Sequence, residues 1–270
     1  MAGNDIVYYV VIYPPAIPDA NLINDVSAIM LKDAYTTRLH LTGQMPKIAG
    51  QYDSMDKAEA TVLQLKRLGL VAFTIDNIDL RKHGNIFRVQ TLEFGKQELL
   101  LKDKNGRERK LLSDEIFLIL RGLTQTHIDT EKTVKGPDIK IDWAATALTT
   151  VITSGIMDSG IPIPRRVETK IRETSALIEP FLRLYKPESP EPSAEILRHG
   201  TNYSFLGAEV TTSSLQNFNT IITKLRDLFP KAVFDDRLTK HPPSSIPSER
   251  AVDEVEKNCK LLYFYHLATR

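Results

Sequence analysis

Hydrophobic positions in the first part of the chain switch between two periods. Residues 6–13 are β-branched or aromatic throughout and end at Pro14-Pro15, which predicts a strand stopped by a turn. Leu22, Ile23, Val26, Ile29 and Met30 then recur at helical spacing behind Asp19, a candidate cap, and a second helix is predicted over 32–41 with Gly43 beyond it. A short strand is expected over 47–52 after Pro46. Ser54 precedes a helix over 56–68 whose inward stripe is Ala58, Val62, Leu65 and Leu68, with Gly69 placed to end it, and 71–75 closes the series as a strand.

Past the linker Arg81-Lys-His-Gly84 the period is that of strands. Residues 86–94, 98–101 and 109–112 alternate, and Asn105-Gly106 predicts a type I′ hairpin turn. The run 116–120 fits a strand or a short helix equally. Strand-like runs return at 181–186, 194–198 and 203–206, separated by Pro187-Glu-Ser-Pro190 and Gly200-Thr-Asn202, and a helix over 213–229 carries the stripe Leu215, Phe218, Ile222, Leu225 and Phe229. Three strands and a helix leave an unpaired sheet edge, so this half is expected to pair with 86–120. Residues 122–180 then form a long insert, with a weak helix over 143–153 behind Asp142 and no regular structure around Gly155, Gly160, Pro162 and Pro164. Phe234-Asp-Asp-Arg-Leu238 then leads to His241-Pro-Pro-Ser-Ser245, a linker by composition. From Ser248 a last helix carries Val252, Val255, Cys259, Leu262 and Tyr263 on one side and Leu261, Phe264 and Leu267 beside them; docking on its own domain is expected, with a partner or a second copy as the alternative.

The β-α-α-β-α-β order, with Leu31-Lys-Asp-Ala34, Gly43-Gln-Met-Pro46, Ala58-Glu59 and Leu65-Lys-Arg-Leu-Gly69, resembles the C-terminal domain of the ribosomal stalk protein, a fold shared with the N-end-rule adaptor of the Clp protease. The resemblance covers the first quarter of the chain and implies a protein-docking module without chemistry of its own. Tyr35-Thr-Thr-Arg38 stands where the stalk has a lysine-rich helix signature, so no binding residue is carried over. Seven strands plugged by the 213–229 helix resemble a pleckstrin-homology-like barrel. The expected fold is α+β: residues 1–80 a stalk-like domain, 85–235 a split seven-stranded antiparallel barrel interrupted by the insert 122–180, and 236–270 a linker and terminal amphipathic helix.

Composition narrows the function classes. The 42% hydrophobic and 26% charged residues mark a globular chain, and 35 basic against 34 acidic side chains leave +1, so no global field favours nucleic acid. The single Cys259 excludes an intramolecular disulfide and a cysteine metal site and suits a reducing compartment. Met1-Ala-Gly-Asn-Asp5 has an acid where a secretory signal wants bases, and the run 143–157 is shorter than the ~20 residues that cross a bilayer. A cytoplasmic protein without an integral membrane segment is expected.

Candidate chemistry is sparse. Arg165, Arg166, Lys170 and Arg172 form a basic run that suits a phosphate or lipid-headgroup contact, helped by Lys102, Lys104 and Arg107; alternating with Glu168 and Glu173, the run also suits a solvated face. Asp158-Ser-Gly160 resembles the aspartic-protease triplet, but the neighbouring prolines favour a turn. His40, His83, His127, His199, His241 and His266 fall singly, without metal-ligand spacing. No phosphate-binding glycine loop, dinucleotide fingerprint or nucleophile elbow occurs, and Cys259 sits in a helix stripe as a buried thiol would. The expected function is therefore a non-enzymatic interaction or adaptor protein with an unidentified protein partner, no cofactor and no nucleic acid. A phosphoinositide- or anionic-surface-binding module, or an enzyme whose site assembles only in space, are the alternatives, and the oligomeric state stays open.

Overall fold

The computed structural model describes residues 6–81, 84–136, 167–241 and 249–270, with side chains over 126–176 and 249–252 outside that description. The helix expected over 143–153, the Asp158-Ser-Gly160 turn, His83 and Ser248 lie outside the described residues. The fold is α+β. Residues 1–126 and 178–270 form one compact unit, and residues 127–177 a second. No helix among the described residues is long and apolar enough to cross a membrane.

The chain begins with a three-stranded antiparallel sheet. Strand β1 (Tyr8–Tyr13) lies between β2 (Lys47–Tyr52) and β3 (Val71–Asp76). Alternation along β1 sends Val10 and Ile12 to one face, where helices α1 (Ala20–Met30) and α3 (Met55–Arg67) bury Ile23, Val26, Met30, Ala58, Val62 and Leu65 against them. Val11, with Phe73 and Ile75 of β3, faces the other way. The Asp19 carboxylate accepts from the Leu22 amide at 2.7 Å, as a cap should. Helix α2 (Ala34–His40) starts later than its apolar pattern suggests because Asp33 caps it, accepting from the Thr36 amide at 2.8 Å. Gly69, at φ +81°, ends α3 with the left-handed turn expected of it.

A short helix α4 (Asn77–Arg81) leads to the second half of the unit, which departs from the expected barrel. In place of one curled seven-stranded antiparallel sheet there are two open ones. Strands β5 (Thr91–Phe94), β6 (Glu98–Lys102) and β7 (Glu108–Leu112) form an antiparallel meander. The other sheet has the order β11-β8-β9-β10-β4, built from β4 (Arg88–Val89), β8 (Leu118–Gly136), β9 (Val167–Tyr185), β10 (Ala194–Leu197) and β11 (Val233–Leu238). Its edges β11 and β4 run parallel to their neighbours, which an antiparallel barrel does not allow. The stretches around 86–120 and 181–197 do pair, through β4 and β10. The insert also begins later than expected, since β8 continues through Gly122. There the backbone must be bare, because a Cβ would sit 2.6 Å from the Phe181 ring and 2.8 Å from the Leu238 Cβ. Residues 203–206, expected as a strand, belong to a 3-10 helix (Tyr203–Glu209), entered through an Asn202 side chain that accepts from the Ser204 amide at 3.0 Å.

Helix α5 (Ser214–Leu228) covers one face of this sheet and the meander together. Phe218, Ile221, Ile222, Leu225 and Leu228 pack on Leu92, Leu99, Leu101, Leu182, Leu184 and Ile196, whereas Leu215, expected in the stripe, is exposed. Helix α6 (Glu249–Ala268) covers the opposite face. Val255, Cys259, Leu262 and Tyr263 pack on Phe117, Leu118, Leu120, Phe181 and Tyr185, while Leu261 packs on Val11, Phe73 and Ile75 of the first sheet. The last helix thus docks on its own chain, between two sheets, and spans both domain boundaries placed near residues 80 and 235. Lys260, buried, donates to the Asp79 carbonyl at 2.7 Å, and the Tyr263 hydroxyl to the Pro187 carbonyl at 2.7 Å. Leu262 is fully buried. Leu262→Ala is therefore expected to lower the unfolding free energy by about 3 kcal/mol, measured by urea denaturation, and a change under about 1 kcal/mol contradicts this packing.

Candidate functional site

A row of charges crosses the five-stranded sheet. Arg88, Glu195 and Arg183 are register partners on β4, β10 and β9. The buried Arg183 Nε donates to Glu195 Oε1 at 2.8 Å, and its Nη1 and Nη2 donate to the two carboxylate oxygens of Glu256 on α6. Glu195 Oε2 accepts from Arg88 Nε at 3.2 Å. Cys259 lies beside this row, where burial pushes its thiol up to about 11. It is protonated at neutral pH and packs as a small apolar group, so it offers no nucleophile.

Arg88 is the exposed end of that row, and a cleft of about 770 Å³ opens beside it. Asn85, Arg88, Gln90, Lys104, Arg107 and Gly200 are among its lining residues. The far wall is the β6–β7 turn. Its geometry is not type I′: Gly106 alone has positive φ, and its amide donates to the Asp103 carbonyl at 3.1 Å, giving a type I turn closed by a left-handed glycine. Asp103 imposes this. Its Oδ1 accepts from the amides of Asn105 (2.8 Å) and Arg107 (2.9 Å), and its Oδ2 from Arg107 Nε at 2.6 Å. Burial works against the charge of Asp103, but these hydrogen bonds outweigh it and hold the carboxyl below its ordinary range. The meander is pinned to the sheet by Arg109, which lies 4.7 Å over the Phe87 ring and donates to the Ser193 carbonyl.

Of the basic residues singled out from the sequence, Lys104 and Arg107 line the cleft, and Lys102 pairs with Glu108 at 2.8 Å. Arg165 and Arg166 lie outside the described residues; Lys170 and Arg172 fall in β9 with their side chains outside them. Arg88 was missed, since its position in a strand looks like any outward charge until Glu195 is brought beside it. Among the described residues no three His, Cys, Asp or Glu side chains gather as a metal site.

One histidine gains an acid that its sequence neighbours do not supply. His266 Nε2 lies 2.7 Å from Asp235 Oδ2, which also accepts from Arg237 Nη2 at 2.5 Å. The Arg237 guanidinium lies 4.7 Å from the Tyr265 ring and 5.2 Å from that of Tyr13, so this cluster ties β11, α6 and β1.

Helix α2 is built inside out. Thr37 is buried, bonded to Ser27 Oγ at 3.0 Å, while Tyr35 and Leu39 are 73% and 50% exposed, and Leu31, the C-cap of α1, is 91% exposed. Leu31 reaches this position in a left-handed conformation, φ 52°, that leucine rarely adopts.

No family model, curated protein or solved structure matches the chain.

Burial alone would raise the Asp235 carboxyl, but hydrogen bonds from His266 and Arg237 prevail and depress it far below its ordinary value. A depressed carboxyl contributes stability at neutral pH that is lost as pH falls below about 4. Asp235→Asn is expected to be less stable at neutral pH and to lose less on acidification, so that the two curves of unfolding free energy converge toward low pH; parallel curves contradict the assignment.

Proposed function

We propose that this chain is a non-catalytic interaction protein of the cytoplasm that docks an apolar segment of a partner protein on the outer face of α2. The observation that carries this reading is the exposure of Tyr35 and Leu39 on α2, whose buried residue is Thr37, beside the exposed Leu31 that ends α1. The β-α-α-β-α-β order, with β1 central and α1 and α3 packed on one face, supports the docking role that its resemblance to the stalk and adaptor domains implies. Lys32 and Arg38 flank these residues in sequence, so an acidic border on the partner's apolar segment fits them best. A single buried cysteine agrees with a reducing compartment.

Affinity capture with the full chain as bait tests the proposal. Leu31→Glu with Tyr35→Glu is expected to weaken the captured partner's binding at least about tenfold, or ~1.4 kcal/mol, without moving the unfolding midpoint, because both side chains are already in water. Capture of the same partner at equal affinity by the double variant contradicts it.

A further inference from the structure

We propose that the cleft between β4 and the β6–β7 turn binds a phosphate monoester, with Arg88, Lys104 and Arg107 as its anion contacts. Three features of the cleft converge on this. Arg88 and Arg107 are each held by Nε on a buried carboxylate, Glu195 at 3.2 Å and Asp103 at 2.6 Å. Their Nη nitrogens have no partner among the described residues, and neither does the Lys104 ammonium. Two guanidinium groups oriented from behind, with donor edges unspent, are preorganised for a planar or tetrahedral oxyanion.

Donor number selects within the oxyanions. Arg88, Lys104 and Arg107 line the cleft; Asp103 is engaged by two amides and Arg107, and Glu195 behind Arg88 is shared with Arg183. The Glu191 carboxylate lies against Gly84, a lining residue, and adds a further negative charge there. The free edges of two guanidinium groups and the Lys104 ammonium offer more donors than the two oxygens of a carboxylate accept, and a phosphate monoester presents three terminal oxygens to them. Space and lining select the remainder of the ligand. At about 770 Å³ the cleft exceeds what phosphate alone fills, and Ile86, Val89 and Leu197 give it an apolar wall beside the amides of Asn85 and Gln90. A phosphate on a partly apolar organic body fits both. The same chemistry is offered by a free mononucleotide and by the headgroup of phosphatidic acid.

Titration calorimetry of the full chain with adenosine monophosphate, inorganic phosphate and adenosine, and flotation with phosphatidylcholine vesicles with and without phosphatidic acid, test the assignment. Saturable binding of adenosine monophosphate or of phosphatidic acid vesicles, competed by inorganic phosphate and absent for adenosine, is expected. Binding of the nucleotide alone identifies a soluble ligand, and binding of the vesicles alone a lipid headgroup; both support the site. Lys104→Gln, at a side chain that holds nothing else in place, is expected to weaken binding at least about fivefold, and Arg107→Gln about tenfold, whereas Lys110→Gln outside the cleft leaves it unchanged. Absence of phosphate-dependent binding at millimolar concentration, or equal affinity in the Lys104→Gln and Arg107→Gln proteins, overturns the proposal.

Discussion

A guanidinium sealed between a sheet and a helix survives only where carboxylates meet it in good geometry, because an unpaired buried charge costs several kcal/mol. Arg183 meets this condition through Glu195 on one side and Glu256 on the other. Much follows from that one demand. It fixes the register of β10 against β9, since a slip by one residue would swing Glu195 to the opposite face. It also fixes where α6 lies, since Glu256 reaches Arg183 from only one rotation of the helix. With α6 so placed, Leu262 and Cys259 fall on the five-stranded sheet and Leu261 on the three-stranded one. The Tyr13, Arg237 and Tyr265 stack then secures the far end of the same helix.

The candidate surfaces lie at the margins of this body. Glu195 serves the interior through Arg183 and the exterior through Arg88, so the charge row that sets the core also aims one wall of the cleft. Asp103 does the same for the opposite wall by ordering the hairpin turn around itself. On α2, the buried Thr37 and the Asp33 cap keep Tyr35 and Leu39 outward.

Where local pattern decides structure, it was readable in the sequence. Helices α1 and α3, Gly69 beyond α3, and strands β6 and β7 follow from periodicity and stand close to their expected places, whereas the strand expected over 86–94 divides between β4 and β5 in different sheets. What escaped depends on partners distant in the chain. Strand β11 has no strand-like run to announce it, since Asp235 and Asp236 break the apolar pattern, and the His266 and Arg237 hydrogen bonds make a buried Asp235 tolerable there. The parallel edges of the large sheet leave no local mark, so a closed antiparallel barrel was the natural and mistaken extrapolation. Asn105-Gly106 matched a two-residue turn until Asp103 added its side chain to the hydrogen bonding. Of the cleft's cations, Lys104 and Arg107 were legible as part of a basic surface, whereas Arg88 acquires meaning only beside Glu195.

The central claim is that α6 makes the two sheets one cooperative body, and native-state hydrogen exchange of the Leu261→Ala protein tests it most directly. Leu261 touches the three-stranded sheet through Val11, Phe73 and Ile75, in a cluster separate from that of β9. The account predicts that the slowest amides of β9 and β10 nevertheless accelerate by the same factor as those of β1 and β3, since all open through the same global unfolding. Acceleration confined to β1 and β3, with β9 and β10 exchanging as before, would contradict it.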